Sequence, residues 1–172
     1  MTWDKYFLDI CNVVASNSKC FSRKVGAIIV RDKSIVSTGF NGPPRSVSHC
    51  NERYTNDEEL MRELHKKCIT VTDTSICPRR WLGYKSGEGL EWCIAGHGER
   101  NAIVNAARNG IAVKDTIMYM SCELPCSPCL IEIINAGISE IVVTNSKSYY
   151  DNMSQYLVDE SGLKVRTYNL EE

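Results

Sequence analysis

The 172-residue chain has no apolar run approaching the roughly 20 residues that a membrane-spanning helix needs, so no membrane association is expected. It lacks a basic excess: 20 Lys and Arg stand against 21 Asp and Glu, a net charge of −1. With only three phenylalanines as well, nothing announces the basic, aromatic groove that tracks a nucleic-acid strand, and no nucleic-acid partner is expected. Asp4, Lys5, Asp9 and Asn12 interrupt the first twenty residues and spoil a signal-peptide core. There is no internal repeat and no low-complexity segment. Nine cysteines is an odd count, and without a secretion signal it reads as reduced thiols in a cytoplasm, some of them metal-bound, rather than as a disulfide framework.

With 43% hydrophobic and 24% charged residues, the composition suits one folded domain over 1–172 with a sizeable core. Trp3, Phe7, Ile10 and Val14 recur at helical spacing, which predicts an amphipathic helix over 3–16 with Thr2 as N-cap. The β-rich runs 25–30 and 35–40, separated by the polar "RDKS", read as a hairpin. Residues 41–96 then break the pattern with Gly42, Pro43, Pro44, Cys50, Cys68 and Cys77, and offer one plausible helix around 56–68. A stretch this long and irregular predicts a functional insertion. Downstream, helices over 99–109, 126–136 and 149–159 alternate with strands over 116–120, 140–144 and 163–168. Right-handed crossovers make those last strands parallel. The expected fold class is α/β, a three-layer α/β/α sandwich around a mixed five-stranded sheet.

Two short motifs carry chemistry: His97-Gly98-Glu99 and Pro125-Cys126-Ser127-Pro128-Cys129. A lone Cys-x-x-Cys means little in a chain so rich in cysteine, but a preceding proline and an accompanying His-x-Glu make coincidence a poor explanation. Pro125 suits the first turn of a helix, and Cys126 and Cys129, three apart, would then share one face at a positive helix end that favours thiolates. His97 also precedes a helix. Cys126, Cys129 and His97 are therefore expected to hold Zn2+ with the fourth position open, as in a catalytic site. Glu99 would point away from the metal in a regular helix, so an irregular first turn is expected to let its carboxylate bend back as a proton shuttle. The plainer reading is a structural zinc closed by Cys93, Cys122 or His49, with Glu99 as a helix-start carboxylate. Structural sites normally bring two closely spaced ligand pairs, whereas the other cysteines are scattered singly.

His-x-Glu followed by Pro-Cys-x-x-Cys is the signature of the zinc nucleobase deaminases. Together with "SKCFSRKVGAIIV" (18–30), "STGFNGPPR" (37–45), "CPRRWLGYKSGEGLEWC" (77–93) and "HGERNAI" (97–103), it makes most of the chain resemble the deoxycytidylate (dCMP) deaminases, phage-encoded ones included. The resemblance implies hydrolysis of dCMP to dUMP and ammonia, feeding thymidylate synthesis, with attack at C4 and Glu99 carrying protons to N3 and to the departing amine. It implies that Gly98, where the family motif has alanine, contacts the pyrimidine carbonyl through its N–H. Asn41 would contact the deoxynucleotide, Ser22 and Arg23 would lie near its phosphate, and Tyr149 or Tyr150 would add a hydroxyl. A regulatory site is implied at Gly42 and Arg45, with charge from His65 and Lys66, where dCTP activates and dTTP inhibits with Mg2+. The family's members are homo-oligomers, typically hexamers, in the cytoplasm, a host's cytoplasm for a phage-encoded chain. Cys20, Cys50, Cys77 and Cys93, with His49, are candidates for a second, structural Zn2+ that some relatives carry.

Plainer roles stand beside these. Arg23 and Lys24 read equally as a solvated pair, Gly42-Pro43-Pro44 as a loop leaving a strand, His65 and Lys66 as a solvated helix face, one of the tyrosines as core, and the scattered cysteines as small buried hydrophobes. Alternative functions are deamination of dCTP, deamination of a base in RNA or single-stranded DNA, and a non-catalytic zinc nucleotide sensor. The near-neutral charge argues against the nucleic-acid reading and the intact Glu99 against the sensor.

Overall fold

The computed structural model describes residues 1–145 and 152–168. In chain order the elements are α1 (Trp3–Ser16), β1 (Gly26–Arg31), β2 (Ser34–Phe40), α2 (Arg53–Asn56), α3 (Glu58–Lys66), α4 (Pro78–Trp81), a 3-10 turn at Leu90–Trp92, α5 (Gly98–Arg108), β3 (Ile117–Met120), α6 (Ser127–Asn135), β4 (Glu140–Val143), α7 (Asn152–Ser161) and β5 (Lys164–Thr167). They form two compact units, one of Met1–Ser18, Val25–Asn41 and His97–Glu172, the other of Lys19–Lys24 and Gly42–Gly96.

The first unit is built on a five-stranded sheet in the order β2-β1-β3-β4-β5. β1 runs antiparallel to β2 and β3, whereas β3, β4 and β5 are parallel, joined through helices as the alternating pattern predicts. The hairpin between β1 and β2 closes on Asp32 and Lys33, both with left-handed backbones (φ 49 and 59). That geometry matches the twist of the paired strands.

Alternation along β1 sorts the core into two layers. Ala27 and Ile29 face Ala102 and Ala106 of α5 and Leu130 and Ile133 of α6. Ile28 and Val30 face Phe7, Leu8 and Cys11 of α1. β1 is therefore buried on both faces, which is why it reads as an unbroken apolar run. Each such fully buried aliphatic or aromatic side chain contributes about 1.5–3 kcal/mol by leaving water. The result is the expected three-layer α/β/α sandwich with a mixed sheet.

Local chemistry sets the ends of the elements. The Thr2 hydroxyl accepts from the Lys5 N–H at 3.3 Å and caps α1 as expected. Gly39 of β2 decides how close α5 can come. A Cβ there would lie 2.2 Å from the Ala102 nitrogen and 2.3 Å from the Gly98 oxygen, so only glycine lets the first turn of α5 rest on the strand.

The second unit has its own small core of Tyr54, Leu60, Leu64 and Leu82, with Trp81, Tyr84 and Trp92 packed against it. Asp57 caps α3 by accepting from the Leu60 N–H at 2.9 Å. Arg53 is buried, pairs with Asp57 at 2.7 Å and donates to the Trp92 carbonyl at 2.7 Å. Gly42 and Gly96, at the two ends of the long segment, form an isolated antiparallel bridge. The sequence predicts a single helix here, and the structure corrects this: α2, α4 and the 3-10 turn accompany α3. Elements of one turn are too short to show a helical repeat of apolar residues, so periodicity cannot find them.

Candidate active site

Two helix N-termini build the site. His97 is the N-cap of α5 and Cys126 the N-cap of α6, both with extended backbones (φ −72, ψ 154 and φ −65, ψ 157). Cys129 follows in the first turn of α6. The sequence expectation for Pro125 needs correction, because the helix begins at Ser127 and the proline inside its first turn is Pro128. Cys126 and Cys129 do not meet by stacking along a helix face. They meet as N-cap and N3 residues, whose side chains naturally converge over the first turn.

Nδ1 of His97 lies 3.5 Å from the Cys126 sulfur and 3.3 Å from the Cys129 sulfur. All three ligand atoms lie within 4.8 Å of one another. A tetrahedral zinc with Zn–S of about 2.3 Å and Zn–N of about 2.0 Å needs S···N edges of roughly 3.5 Å, so the donor set fits that ion. Among the described residues no fourth His, Cys, Asp or Glu joins the group, Cys93, Cys122 and His49 included. The three therefore match the ligand count of a catalytic zinc rather than a closed structural one.

Electrostatics favour a cation here. The Cys126 thiol is held down at about 4, first by the hydrogen bond from Cys129, against its own burial, and then by His97. Cys129 is held above the ordinary thiol range because it supplies that hydrogen bond, is buried and faces Glu99. His97 is raised by its hydrogen bond with Cys126, opposed by burial and aided by the Glu99 charge. Partial positive charge at both helix N-termini adds to the preference for thiolates. Arg100 bridges α5 to α6 through Glu132 at 2.7 Å, and its charge also acts on Cys126 and Cys129. This brace was missed in the sequence, since nothing local pairs residues so far apart.

Glu99 is 5% exposed, a buried carboxylate in the first turn of α5. The expected irregularity of that turn falls one residue earlier. Helical geometry begins at Gly98, and it is the extended His97 that breaks the register and brings both side chains to one site. The Cys122 thiol donates to Oε1 of Glu99 at 4.0 Å.

The other expected site residues separate by unit. Asn41 and Gly98 belong to the first. Asn41 is buried, its Oδ1 accepting from the Val25 N–H at 2.7 Å and its N–H donating to the Val25 carbonyl at 3.1 Å. A Cβ on Gly98 would meet the Val25 oxygen at 3.0 Å, so an alanine here would need its neighbours to give by a few tenths of an ångström.

Ser22, Arg23, Gly42, Arg45, His65 and Lys66 belong to the second unit. Gly42 is buried in its bridge, while Arg45, His65 and Lys66 are exposed. Tyr149 and Tyr150 lie outside the described residues. In the same unit the Cys50 thiol is pushed up to about 11, by burial first and then by Cys77 and Cys20, with Arg53 opposing, and Cys20, Cys50, Cys77, Cys93 and His49 are not among the described residues whose ligand atoms cluster as the His97 group does. Nδ1 of His49 is buried with no hydrogen-bond partner. No helix among the described residues is long and apolar enough to cross a membrane.

Comparison with known proteins agrees with the site. Residues 1–145 match the family described as the cytidine and deoxycytidylate deaminase zinc-binding region. A deoxycytidylate deaminase of Saccharomyces cerevisiae is 31% identical over 172 residues, covering 99% of this chain and 46% of the yeast protein, so the chain spans a little under half of that relative. The deoxycytidylate deaminase of Mycobacterium phage D29 is 31% identical over 145 residues, covering 81% of this chain and 92% of its own. The crystal structure of dCMP deaminase from cyanophage S-TIM5 has the same fold, with a TM-score of 0.64, 18% identity and 96% coverage of both chains. Because the matched region takes in His97, Glu99, Cys126 and Cys129 as well as β1 to β4 of the sheet, the chain belongs to the cytidine and deoxycytidylate deaminase family and stands within it among the deoxycytidylate deaminases.

Proposed function

We propose that the chain is a zinc-dependent hydrolase that converts dCMP and water to dUMP and ammonia, supplying dUMP for thymidylate synthesis. The observation that carries this reading is the Cys126–Cys129–His97 donor set with the buried Glu99 beside it, in a chain whose relatives are deoxycytidylate deaminases. Zinc held by these three residues would supply a Lewis acid that makes water nucleophilic near neutral pH. Glu99 moves the protons. It takes one from the attacking water and gives it to N3 of the ring as the C4–O bond forms. It passes the second, taken from the new C4 hydroxyl, to the amine as the C4–N bond breaks, so that ammonia leaves and the ring remains as the uracil base of dUMP. Burial keeps this carboxylate out of bulk solvent.

The remaining chain supplies binding and control. The Gly98 N–H and Asn41 orient the deoxynucleoside, while Ser22, Arg23 and Tyr149 or Tyr150 hold the phosphate, the guanidinium reading it bidentately. Gly42, Arg45, His65 and Lys66 take a Mg2+-bound nucleotide, dCTP activating and dTTP inhibiting, in a cytoplasmic homo-hexamer. A second Zn2+ is held by Cys20, Cys50, Cys77 and Cys93, or with His49 in place of one of them. The buried, partnerless His49 Nδ1 is the observation that favours it.

The test is ammonia release by zinc-loaded protein with dCMP, beside dCTP, cytidine and a short cytosine oligonucleotide, with and without Mg·dCTP or Mg·dTTP. Turnover of dCMP that rises with dCTP and falls with dTTP is the expected result. Activity confined to the oligonucleotide, or to dCTP as substrate, would reassign the substrate, and a zinc content near one per chain would remove the second metal.

A further inference from the structure

We propose that Ser18 is a positioning residue for the phosphate contact: its buried hydroxyl and the Val25 peptide clasp Asn41, which fixes both ends of Lys19–Lys24, the stretch carrying Ser22 and Arg23. The inference rests on the deaminase reading, with Arg23 at the phosphate, and deepens it. The Ser18 hydroxyl donates to the Asn41 carbonyl at 2.6 Å. The Val25 N–H donates to Oδ1 of Asn41 at 2.7 Å, and the Asn41 N–H donates to the Val25 carbonyl at 3.1 Å. Ser18 precedes the stretch and Val25 follows it, so Asn41 holds the chain at both entry and exit.

All three residues of the clasp are buried, Ser18 at 1% exposure. Each is also anchored from its own side. The Ser18 N–H donates to the Ala15 carbonyl at 2.9 Å, where α1 ends. β1 starts against the same helix, since a Cβ on Gly26 would lie 2.1 Å from the Cys11 carbonyl oxygen. Nδ2 of Asn101, on α5, donates to the Phe40 carbonyl at 2.8 Å and so holds the peptide that enters Asn41. The clasp therefore ties the two ends of the stretch to α1, β1 and the end of β2.

Lys19, Phe21, Arg23 and Lys24 are exposed, and a short stretch with fixed ends has fewer conformations open to it than one whose ends are free. Where Arg23 can reach thus depends on where the chain enters and leaves. A misplacement of about 1 Å in a group that positions substrate can cost up to about 10²-fold in rate. The competing account is that the Ser18 hydroxyl merely satisfies a buried carbonyl. Its loss would then cost stability and leave phosphate recognition alone.

Zinc-loaded parent, Ser18→Ala, Arg23→Ala and the double variant form a cycle read by kcat/KM for dCMP. Arg23→Ala is expected to lose about tenfold or more, the cost of a charge-assisted phosphate contact. Ser18→Ala is expected to lose at least about fivefold in the parent, with zinc content unchanged, and less than about twofold in the Arg23→Ala background, where no guanidinium is left to position. Ser18→Cys, which keeps the side-chain volume with a weaker donor, takes the place of alanine where that variant does not fold.

Trypsin gives a reading that needs no turnover, since Lys19, Arg23 and Lys24 are all cleavage points. Native Ser18→Ala should be cut within this stretch at least about fivefold faster than the parent, with cleavage elsewhere unchanged. Additive losses around the cycle, a Ser18→Ala variant equal to the parent, or an unchanged tryptic rate in the stretch would each overturn the positioning role. Arg23→Ala matching the parent overturns the phosphate reading, and a parent that releases no ammonia from any cytosine nucleotide overturns the deaminase reading. Either takes this role with it, and both differ from an active cycle whose losses simply add.

Discussion

Nδ1 of His97 lies 3.3 Å from the sulfur of Cys129, 32 positions along the chain, and the two meet because each stands at the start of a helix that packs on the same face of the sheet. That relationship makes the site a clip between α5 and α6. Stripping zinc should abolish turnover, and reloading should restore it. Unfolding should also occur at lower temperature without the metal, since an ion present at a hundredfold its dissociation constant adds about 2.7 kcal/mol. Uptake should weaken as pH falls, because protons compete for the thiols and the imidazole. Thermal melts with and without chelator at several pH values check this.

Glu99→Gln keeps the shape of the carboxylate and removes its basicity. We expect kcat to fall by about 10²–10⁴-fold, the usual range for a general acid–base residue. Zinc content should match the parent. Ammonia release and metal analysis on the same preparation distinguish loss of proton transfer from loss of metal.

Asp4 accepts from the Tyr119 hydroxyl at 2.7 Å and pairs with Arg166 at 2.6 Å, tying α1 to β3 and β5. Arg166, 45% exposed, holds the Asp4 carboxyl below its ordinary value of 3.8, against partial desolvation and with help from Tyr119. A depressed carboxylate contributes stability that is fully present above the unfolded-state value and is lost as pH falls through the folded-state value. Asp4→Asn should therefore be less stable than the parent near neutral pH, with the difference closing below about pH 4. Solvent screening of the exposed arginine keeps the ion-pair part of the effect below about 1 kcal/mol. Denaturant titrations at neutral and acid pH measure it.

Gly39 and Gly98 both sit at the contact of β2 with α5, yet they should respond differently to alanine. Gly39→Ala drives a Cβ to 2.2 Å from backbone that cannot yield and should destabilise by about 2 kcal/mol or more. Gly98→Ala meets the Val25 oxygen at 3.0 Å, which a shift of a few tenths of an ångström relieves, so its effect should stay below about 1 kcal/mol with activity retained. Unfolding midpoints of the two variants, side by side, decide the matter.

Cys68 ends α3 with a left-handed backbone, φ 55, where the Ile69 N–H donates to Leu64 and the Cys68 N–H to His65. This is the geometry that favours glycine after a helix. Cys68→Gly should stabilise by about 0.5–1 kcal/mol while removing an exposed thiol. A rise in the unfolding midpoint is the expected readout, and an unchanged or lower one refutes the strain.

Much of this was written locally. The helical spacing of Trp3, Phe7, Ile10 and Val14 placed α1, the continuous apolar run of 25–30 placed a doubly buried strand, and the alternation after residue 98 placed the parallel half of the sheet. The residue types themselves pointed to a zinc site, because one imidazole and two thiols with an open fourth position suit a catalytic zinc, and the motif they form carried the resemblance to the deaminases. Short helices of the second unit escaped because one turn holds no period.

What the sequence determined by itself was therefore the inventory: the order of elements, the candidate ligand set and the proposed proton carrier, all properties of residue type and near-neighbour spacing. What only tertiary structure decided was direction. Whether Cys122 would join the ligand group or stay outside it, whether Pro125 or Pro128 would enter the helix, and which oxygen of Asn41 would be held by Val25 all depend on segments remote in the chain coming within a few ångströms. Side-chain hydrogen bonds are that short in range, and no spacing along a sequence encodes the packing of α5 on Gly39 that brings them into reach.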